Sequence, residues 1–358
     1  MSEKTSPEQQ AILDHLQAQS NILRSQTFST PTAQVSLDQA LENASTLKGR
    51  VVVITGAAGI GFGANYSKRV AKFGAKVVLS DLKLEAVQEV VDEIRAAGGE
   101  ATGIACNVLK WEDQVKMFRH AIDTYGKVDI VFANAGTSSE TDNPLISDAV
   151  DENGEPKKPA MTTLDVNCTG AIYTVKLGFF HLSRNPAKEG KSIVILGSMA
   201  SFFGIPGAPL YTASKHAVLG FMRSLYHNAK SENIAISLIN PFFCHTGIFK
   251  FPVLIALLGI PLATLEDVVA AMIYASTASK GGKEAGEEIN GSCFMVDWKG
   301  ILQIPYNTAG GSSLDPSLPR GYYKVFEDRA SNAIYTGKVF KDLIYAFKSL
   351  IWDPRGRA

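Results

Sequence analysis

The chain has 358 residues and carries 35 basic and 35 acidic side chains, so its formal net charge is zero. This balance gives no electrostatic case for binding nucleic acid, which needs a basic surface. The length allows one large domain or two small ones.

The four cysteines are far apart in sequence and show no metal-type pairing, so we expect no metal site. The N-terminal segment has no secretory signal pattern, and we expect a reducing, cytoplasmic compartment.

Residues 1–47 precede the first predicted core strand and are interpreted as an extension. Ile12, Leu16 and Leu23 predict a short amphipathic helix there, and a Ser/Thr/Pro/Gln-rich stretch follows to about Val35. We expect this extension to pack on the surface or on a partner.

The first core element is a run of β-branched residues at positions 51–54, which predicts a buried central strand. It leads into Thr-Gly-Ala-Ala-Gly-Ile-Gly-Phe-Gly at 55–63 and then into a helical stretch. Glycines at such a turn let backbone N–H groups approach a pyrophosphate at a helix N-terminus. Asp81 ends the next strand, twenty residues after Gly61. A carboxylate there accepts hydrogen bonds from a ribose 2′-OH and repels a 2′-phosphate, so NAD is favoured over NADP.

Strands alternate with helices from 49 to 297, which predicts an α/β fold. We expect a Rossmann-type, doubly wound parallel sheet of about seven strands with helices on both faces. The polar segment 137–159 is predicted to be a loop. The helices are predicted at 61–73, 83–97, 111–125, 160–184, 209–231 and 265–279.

Ser198, Tyr211 and Lys215 form the most informative pattern of the second half. Positions i and i+4 share one helix face, so the Lys215 ammonium is expected near the Tyr211 phenol. A neighbouring cation favours the phenolate, which allows proton exchange with an alcohol or a carbonyl group. Taken alone, Tyr211 and Lys215 also fit an exposed surface pair, and Ser198 also fits a cap of the next element.

Over roughly 48–300, the chain resembles the short-chain dehydrogenase/reductase family. The supporting motifs occur in the family's order: the glycine turn, Asn134-Ala135-Gly136 after a strand, an asparagine, a serine and the Tyr-x-x-x-Lys pair, then a proline and a threonine after a strand. One departure is the turn itself, which the family usually writes Thr-Gly-x-x-x-Gly-x-Gly. Aligned from Gly56, this chain is one residue short; aligned backwards from Gly74-Ala75, it is one residue long, and we prefer this second alignment. Which of Gly59, Gly61 and Gly63 touches the cofactor is left open.

The resemblance implies roles for individual residues. Tyr211 removes the proton of a secondary alcohol while hydride passes to the nicotinamide ring, and Ser198 hydrogen-bonds the reacting oxygen. Lys215 binds the nicotinamide ribose and lowers the pKa of Tyr211, and Asn167 holds a water that links the lysine to solvent. The implied cofactor contacts are Gly56, Gly59, Gly61, Gly63, Asp81, Asn107, Val108, Asn134, Ala135, Gly136, Tyr211, Lys215, Pro241 and Thr246.

Two further segments bear on the substrate and on partners. In the resembled family, the position of the apolar segment 251–263 holds a mobile lid, which implies an apolar substrate; plain packing and membrane contact are the alternatives. The tail 301–358 has Val339, Leu343, Phe347 and Leu350 at helical spacing, which predicts an amphipathic helix. That helix fits docking on its own domain, docking on a sister subunit, or contact with an anionic membrane.

The sequence therefore predicts an NAD-dependent oxidoreductase that interconverts a lipophilic secondary alcohol and its ketone. A sterol, a fatty-acyl compound or a polyketide-like compound would fit as substrate. The alternatives are a non-redox or bifunctional step, such as isomerisation or cyclisation, and a non-catalytic nicotinamide-binding module. The resemblance also implies a homo-oligomer.

Overall fold

The computed structural model of the chain describes residues 33–138, 145, 147–187, 189–246, 261–277 and 289–304. The predicted N-terminal helix, most of the apolar segment 251–263 and the tail from 305 onward lie outside these residues. Among the helices that the structure describes, none is long and apolar enough to cross a membrane.

The described strands form one sheet in the order β1-β9-β8-β7-β6-β5-β2-β3-β4, which is parallel from β8 through to β4. Strands β2 and β5 lie in its centre and are completely buried, as their uninterrupted apolar sequences predict. The strands are β1 (Ala33–Val35), β2 (Val51–Thr55), β3 (Lys76–Asp81), β4 (Glu100–Ala105), β5 (Ile130–Ala133), β6 (Lys191–Leu196), β7 (Ile234–Pro241), β8 (Cys293–Asp297) and β9 (Gly300–Ile304).

Helices flank this sheet in packed groups, as expected for a doubly wound fold. One group contains α1, α2, α3 and α8; elsewhere α4 packs on α6, and α7 packs on α5 and on the segment between α5 and α6. The helices are α1 (Leu37–Leu41), α2 (Phe62–Lys72), α3 (Leu84–Ala96), α4 (Trp111–Tyr125), α5 (Thr162–Leu164), α6 (Ala171–Leu182), α7 (Pro209–Ser231) and α8 (Leu265–Thr277).

The predicted α/β class is confirmed, and the helices begin and end close to their predicted limits. The helix predicted at 160–184 differs in one respect, because the π-helical segment Asp165–Gly170 separates α5 from α6. A π turn inside a helix is often found at a functional site, and Asn167 lies within this one.

The sheet has two more strands than the predicted seven, one at each end of the described chain. Strand β9 folds back antiparallel on β8, and β1 pairs antiparallel with β9. Residues 33–47 and 301–304, which the sequence analysis placed in extensions, are therefore built into the fold. Ala40, Ala44 and Leu47 are at most 1% exposed and join the same hydrophobic core.

Candidate active site

The predicted site residues converge on the carboxyl edge of the sheet, where ligands bind in open α/β folds. The glycine turn follows β2, Asn134 follows β5, Ser198 follows β6, and Pro241 ends β7. Strand pairing fixes their order across the sheet, because β2, β5, β6 and β7 are consecutive neighbours.

Two glycines of the turn are required by packing. Gly56 has a positive φ of 67°, and a Cβ there would lie 2.6 Å from the Cα of Ala135. A Cβ on Gly63 would lie 2.5 Å from the carbonyl oxygen of Gly56 and 2.7 Å from Asn134 Nδ2. These glycines therefore let the start of α2 pack against the ends of β2 and β5.

The other two glycines face open space. A Cβ on Gly59 or Gly61 would meet no atom within 4 Å, although Gly59 has a positive φ of 69°. Helix α2 begins at Phe62 with Gly61 as its N-cap, as the alignment with the longer turn requires. The open side of Gly61 thus lies at a helix N-terminus, where unpaired N–H groups and the helix dipole favour an anion.

Asp81 is held against this turn by backbone hydrogen bonds. The N–H of Ala58 donates to its Oδ2 at 3.1 Å, and the N–H of Leu82 donates to its Oδ1 at 2.7 Å. Each carboxylate oxygen can accept more than one hydrogen bond, so the group can still receive ribose hydroxyls.

Asn134 lies between the glycine turn and Ser198, because β5 is placed between β2 and β6 in the sheet. Its Nδ2 donates to the carbonyl oxygens of Thr55 and Gly56 at 2.9 and 2.8 Å. Its Oδ1 is buried and has no hydrogen-bond partner among the residues that the structure describes. A buried acceptor left in this way marks a place where a ligand can donate. Together with the open helix N-terminus and the carboxylate of Asp81, it fits a nicotinamide dinucleotide.

The structure brings Ser198, Tyr211 and Lys215 together. Ser198 caps the short 3₁₀ turn Met199–Ser201, where its Oγ accepts from the N–H of Ala200 at 3.1 Å. The side chains of Ser198 and Tyr211 are hydrogen-bonded to each other. Lys215 lies one turn along α7, with its Nζ 5.6 Å from the Tyr211 ring centroid. Its ammonium is nearly completely buried and donates to the carbonyl oxygen of Leu196 at 2.8 Å.

Burial dominates the electrostatics of this pair. It raises the pKa of Tyr211, and the hydrogen bond with Ser198 offsets part of that rise. Burial also lowers the pKa of Lys215 to about 8. The direction for Tyr211 is opposite to the sequence expectation. The reason is that desolvation disfavours both charged forms, and the Lys215 ammonium donates to a backbone carbonyl group instead of the phenol.

Asn167 uses its side chain to connect two parts of the site. Its Oδ1 accepts from the N–H of Thr137 at 2.8 Å, while its Nδ2 donates to the Thr137 carbonyl oxygen at 2.9 Å and to Ser214 Oγ at 3.0 Å. A Cβ on the adjacent Gly136 would lie 3.2 Å from Asn167 Oδ1 and 3.7 Å from Lys215 Nζ. The segment 134–137 therefore passes beside both residues; the water-holding role of Asn167 stays a prediction.

The remaining predicted cofactor residues lie around the same edge. Asn107 follows β4 and accepts the N–H of Leu109 through its side chain at 3.0 Å, while Val108 packs against Gly170 of the π-helical segment. Pro241 ends β7, and Thr246, half-buried, is the last described residue before 261. In the described part of the chain, no cluster of His, Cys, Asp or Glu side chains could hold a metal ion.

Sequence reasoning missed two buried residues at this site. Ser214 accepts the Asn167 amide and donates to the carbonyl oxygen of Tyr211 at 2.7 Å. Asn240 contacts the N–H of Ser198 from β7. In the sequence, such residues could have been found as polar positions within an otherwise apolar pattern, such as Asn240 directly before Pro241.

Comparison with known proteins agrees with this geometry. The model of the family described as short chain dehydrogenase matches residues 50–251. The short-chain dehydrogenase/reductase ascJ of Acremonium egyptiacum is 34% identical over 242 residues, which cover 66% of this chain and 78% of that protein. The cyclohexanol dehydrogenase of Acinetobacter sp. (strain SE19) is 31% identical over 197 residues, 55% of this chain and 74% of that protein.

A solved structure shows the same fold. A short-chain type dehydrogenase/reductase from Mycobacterium marinum superposes with a TM-score of 0.62 at 23% identity, covering 72% of this chain and 98% of that one. The chain belongs to the short-chain dehydrogenase family. It is accordingly an oxidoreductase of alcohol and carbonyl groups that uses a nicotinamide cofactor, NAD(H) or NADP(H).

Proposed function

We propose that this protein is an NAD-dependent oxidoreductase that interconverts a lipophilic secondary alcohol and its ketone. The observation that carries the proposal is the half-buried Tyr211 side chain, whose hydroxyl is hydrogen-bonded to Ser198, with Lys215 on the next turn of the same helix. A hydroxyl in this position can both receive and return a proton, which alcohol oxidation and carbonyl reduction require in turn.

Ser198, Tyr211 and Lys215 each have a separate role around the reacting oxygen. Ser198 donates a hydrogen bond to that oxygen, and Tyr211 takes the proton from the alcohol. When bound, NAD supplies the hydride acceptor. Lys215 would hold the nicotinamide ribose, and its charged form favours the Tyr211 phenolate. Since burial raises the pKa of Tyr211, we expect alcohol oxidation to accelerate as the pH rises toward that pKa.

The choice of NAD rests on Asp81. Its carboxylate lies at the end of β3 and accepts a hydrogen bond from the N–H of Ala58 in the glycine turn. A 2′-phosphate placed beside this carboxylate would meet charge repulsion, whereas a 2′-OH would donate a hydrogen bond to it.

A lipophilic substrate is favoured by the residues next to Ser198. The short turn after it continues into Phe202, Phe203 and Ile205, which are partly buried and pack against the core. The name of one relative, cyclohexanol dehydrogenase, denotes an apolar secondary alcohol as its substrate.

The test is NADH formation by the full-length protein with a panel of secondary alcohols of increasing apolar size. Tyr211→Phe should abolish turnover while NAD binding persists. Tyr226→Phe is the matched control, since Tyr226 is a buried tyrosine on the same helix, four turns further along. NAD binding without turnover of any alcohol or ketone would refute the proposal and favour a non-redox or sensing role.

We further propose that the chain self-associates, as members of this family often do. Sedimentation equilibrium of the full-length protein tests this, and a monomer at every concentration would contradict it.

A further inference from the structure

The end of β7 contains a buried amide that reaches the loop of Ser198. Asn240 is completely buried, and its Oδ1 accepts from the N–H of Ser198 at 3.3 Å. Its Nδ2 donates to the carbonyl oxygen of Leu238 at 3.2 Å, which fixes the orientation of the amide. The side chain therefore bridges the ends of β6 and β7 directly beneath Ser198.

We infer that Asn240 is a positioning residue that sets the place of the Ser198 hydroxyl during the reaction. The inference rests on the proposed role of Ser198 and deepens it. Asn240 acts through the backbone of Ser198, since its contact in the structure is with that N–H group.

The residues around the Asn240 amide pack closely against it. Gly197 has no room for a side chain, because a Cβ there would overlap Asn240 Oδ1 and lie 2.9 Å from Leu238 Cγ. The N–H of Gly197 continues the ladder to β7 by donating to the Ile239 carbonyl oxygen at 2.7 Å. The segment from 197 to 198 is thus clamped to β7 at two successive N–H groups.

Within the described part of the chain, the N–H of Ser198 has one other acceptor, Ser201 Oγ, at 3.3 Å. A serine hydroxyl rotates freely, whereas the Asn240 amide is planar and fixed by its second hydrogen bond. Losing Oδ1 would leave a buried N–H with a single adaptable acceptor. The Ser198 backbone, and with it the hydroxyl that meets Tyr211, would then be free to shift.

A shift of Ser198 has a specific consequence for Tyr211. The hydrogen bond between the two hydroxyl groups lowers the pKa of Tyr211, against the rise that burial causes. The Ser198 hydroxyl and the Lys215 ammonium are a polar and a charged group that lie close to this phenol. Weakening the first contact should therefore move the pKa of Tyr211 upward, toward the value that burial alone gives.

The experiment compares kcat/KM for alcohol oxidation across pH in the wild type, Asn240→Leu and Asn240→Ala. Both variants remove the acceptor, and they differ in how much apolar volume they restore. We expect kcat/KM to fall between about 10-fold and about 100-fold, as for a small misplacement of a catalytic group. The part of the kcat/KM pH profile that reflects ionisation of Tyr211 should move to higher pH. The dissociation constant for NAD should be unchanged.

Asn185→Leu is the matched control. Asn185 is also buried and donates to the carbonyl oxygen of Val128 and to Asp129 Oδ1, at the amino edge of the sheet. This variant should lower thermal stability without moving the pH profile. A shift of the same size in Asn185→Leu, or an unmoved profile in either Asn240 variant that folds, would overturn the inference.

A double-mutant cycle shows whether Asn240→Leu lowers activity through Ser198 or through a general disturbance of the fold. In a Ser198→Ala background, Asn240→Leu should cost little further activity, because the group that it positions is absent; full additivity would refute the inference. If the wild type turns over no alcohol, the proposed function fails. The pKa of Tyr211, read from tyrosinate absorbance as the difference between proteins with and without Tyr211, then tests the positioning by itself.

Discussion

Two residues of the glycine turn at 55–63 allow the effects of packing and of ligand binding to be measured separately. Gly61 and Gly63 lie two residues apart at the start of α2, yet their surroundings differ completely. A Cβ on Gly61 meets open space, whereas one on Gly63 lies 2.5 Å from the Gly56 carbonyl oxygen. We predict that Gly61→Ala weakens dinucleotide binding and spares stability, while Gly63→Ala destabilises the fold.

The magnitudes follow from the local geometry. At Gly61, alanine is a poorer N-cap, which costs about 0.5–1 kcal/mol, but it restricts the unfolded chain by about 0.4–1 kcal/mol, so the net change in unfolding free energy is close to zero. At Gly63, the overlap is with backbone and cannot be relieved by a rotamer change. Overpacking of this kind costs about 1–3 kcal/mol, and the better helix propensity of alanine offsets about 1 kcal/mol at most.

Urea unfolding gives the stability of each variant, and calorimetric titration with NAD gives the dissociation constant. We expect Gly61→Ala to unfold with the wild-type midpoint and to bind NAD at least about tenfold more weakly, because the methyl group takes the place of an approaching phosphate. An unchanged dissociation constant in Gly61→Ala would show that its open side does not face the cofactor. Wild-type stability in Gly63→Ala would refute the packing argument.

Three further predictions concern charge, cofactor choice and the limits of the fold. Because burial lowers the pKa of Lys215 from 10.5 to about 8, the unfolded chain binds the extra proton between these values. The unfolding free energy should therefore rise with pH across that window, by on the order of 3 kcal/mol, and urea unfolding of Lys215→Met should lack this rise. Asp81→Ala should weaken NAD binding roughly 10-fold to 100-fold and bring the NADP dissociation constant closer to that of NAD; an unchanged ratio by calorimetry would contradict its role. Leu47→Ala should lose about 2–5 kcal/mol because Leu47 is fully buried, while Leu37→Ala, at a site 39% exposed, should stay within about 0.5 kcal/mol; equal losses in urea would contradict the packing of residues 33–47.

The sequence was most informative where chemistry constrains residue type and spacing together. A strand, a glycine turn and a helix with Asp81 beyond them predicted the dinucleotide half of the fold, which the structure confirms. Tyr211 and Lys215 were expected on one helix face, and they lie on successive turns of α7. These inferences depend on contacts between residues close in sequence, which periodicity describes well.

Contacts between distant segments could not be foreseen in the same way. The pairing of β1 with β9 joins residues 33–35 to 301–303, and neither segment alone has a strong strand pattern. Strand β1 is three residues long and becomes a strand only because β9 offers a free edge. The predicted lowering of the Tyr211 pKa was wrong for a related reason. The burial that raises this pKa comes from the whole fold and not from Lys215.

The lowered pKa of Lys215 changes how the Tyr211 and Lys215 pair should be understood. A buried lysine with a pKa of about 8 loses much of its charge just above neutral pH, and its ammonium donates to the Leu196 carbonyl oxygen. Its cation is thus a weaker source of phenolate stabilisation than helix spacing alone predicts. The hydrogen bond of Ser198 to the phenol lowers the pKa of Tyr211, and Asn240 accepts a hydrogen bond from the backbone N–H of Ser198. The pKa of Tyr211, the proposed proton-transfer group, therefore depends on the ends of β6 and β7 as well as on helix α7.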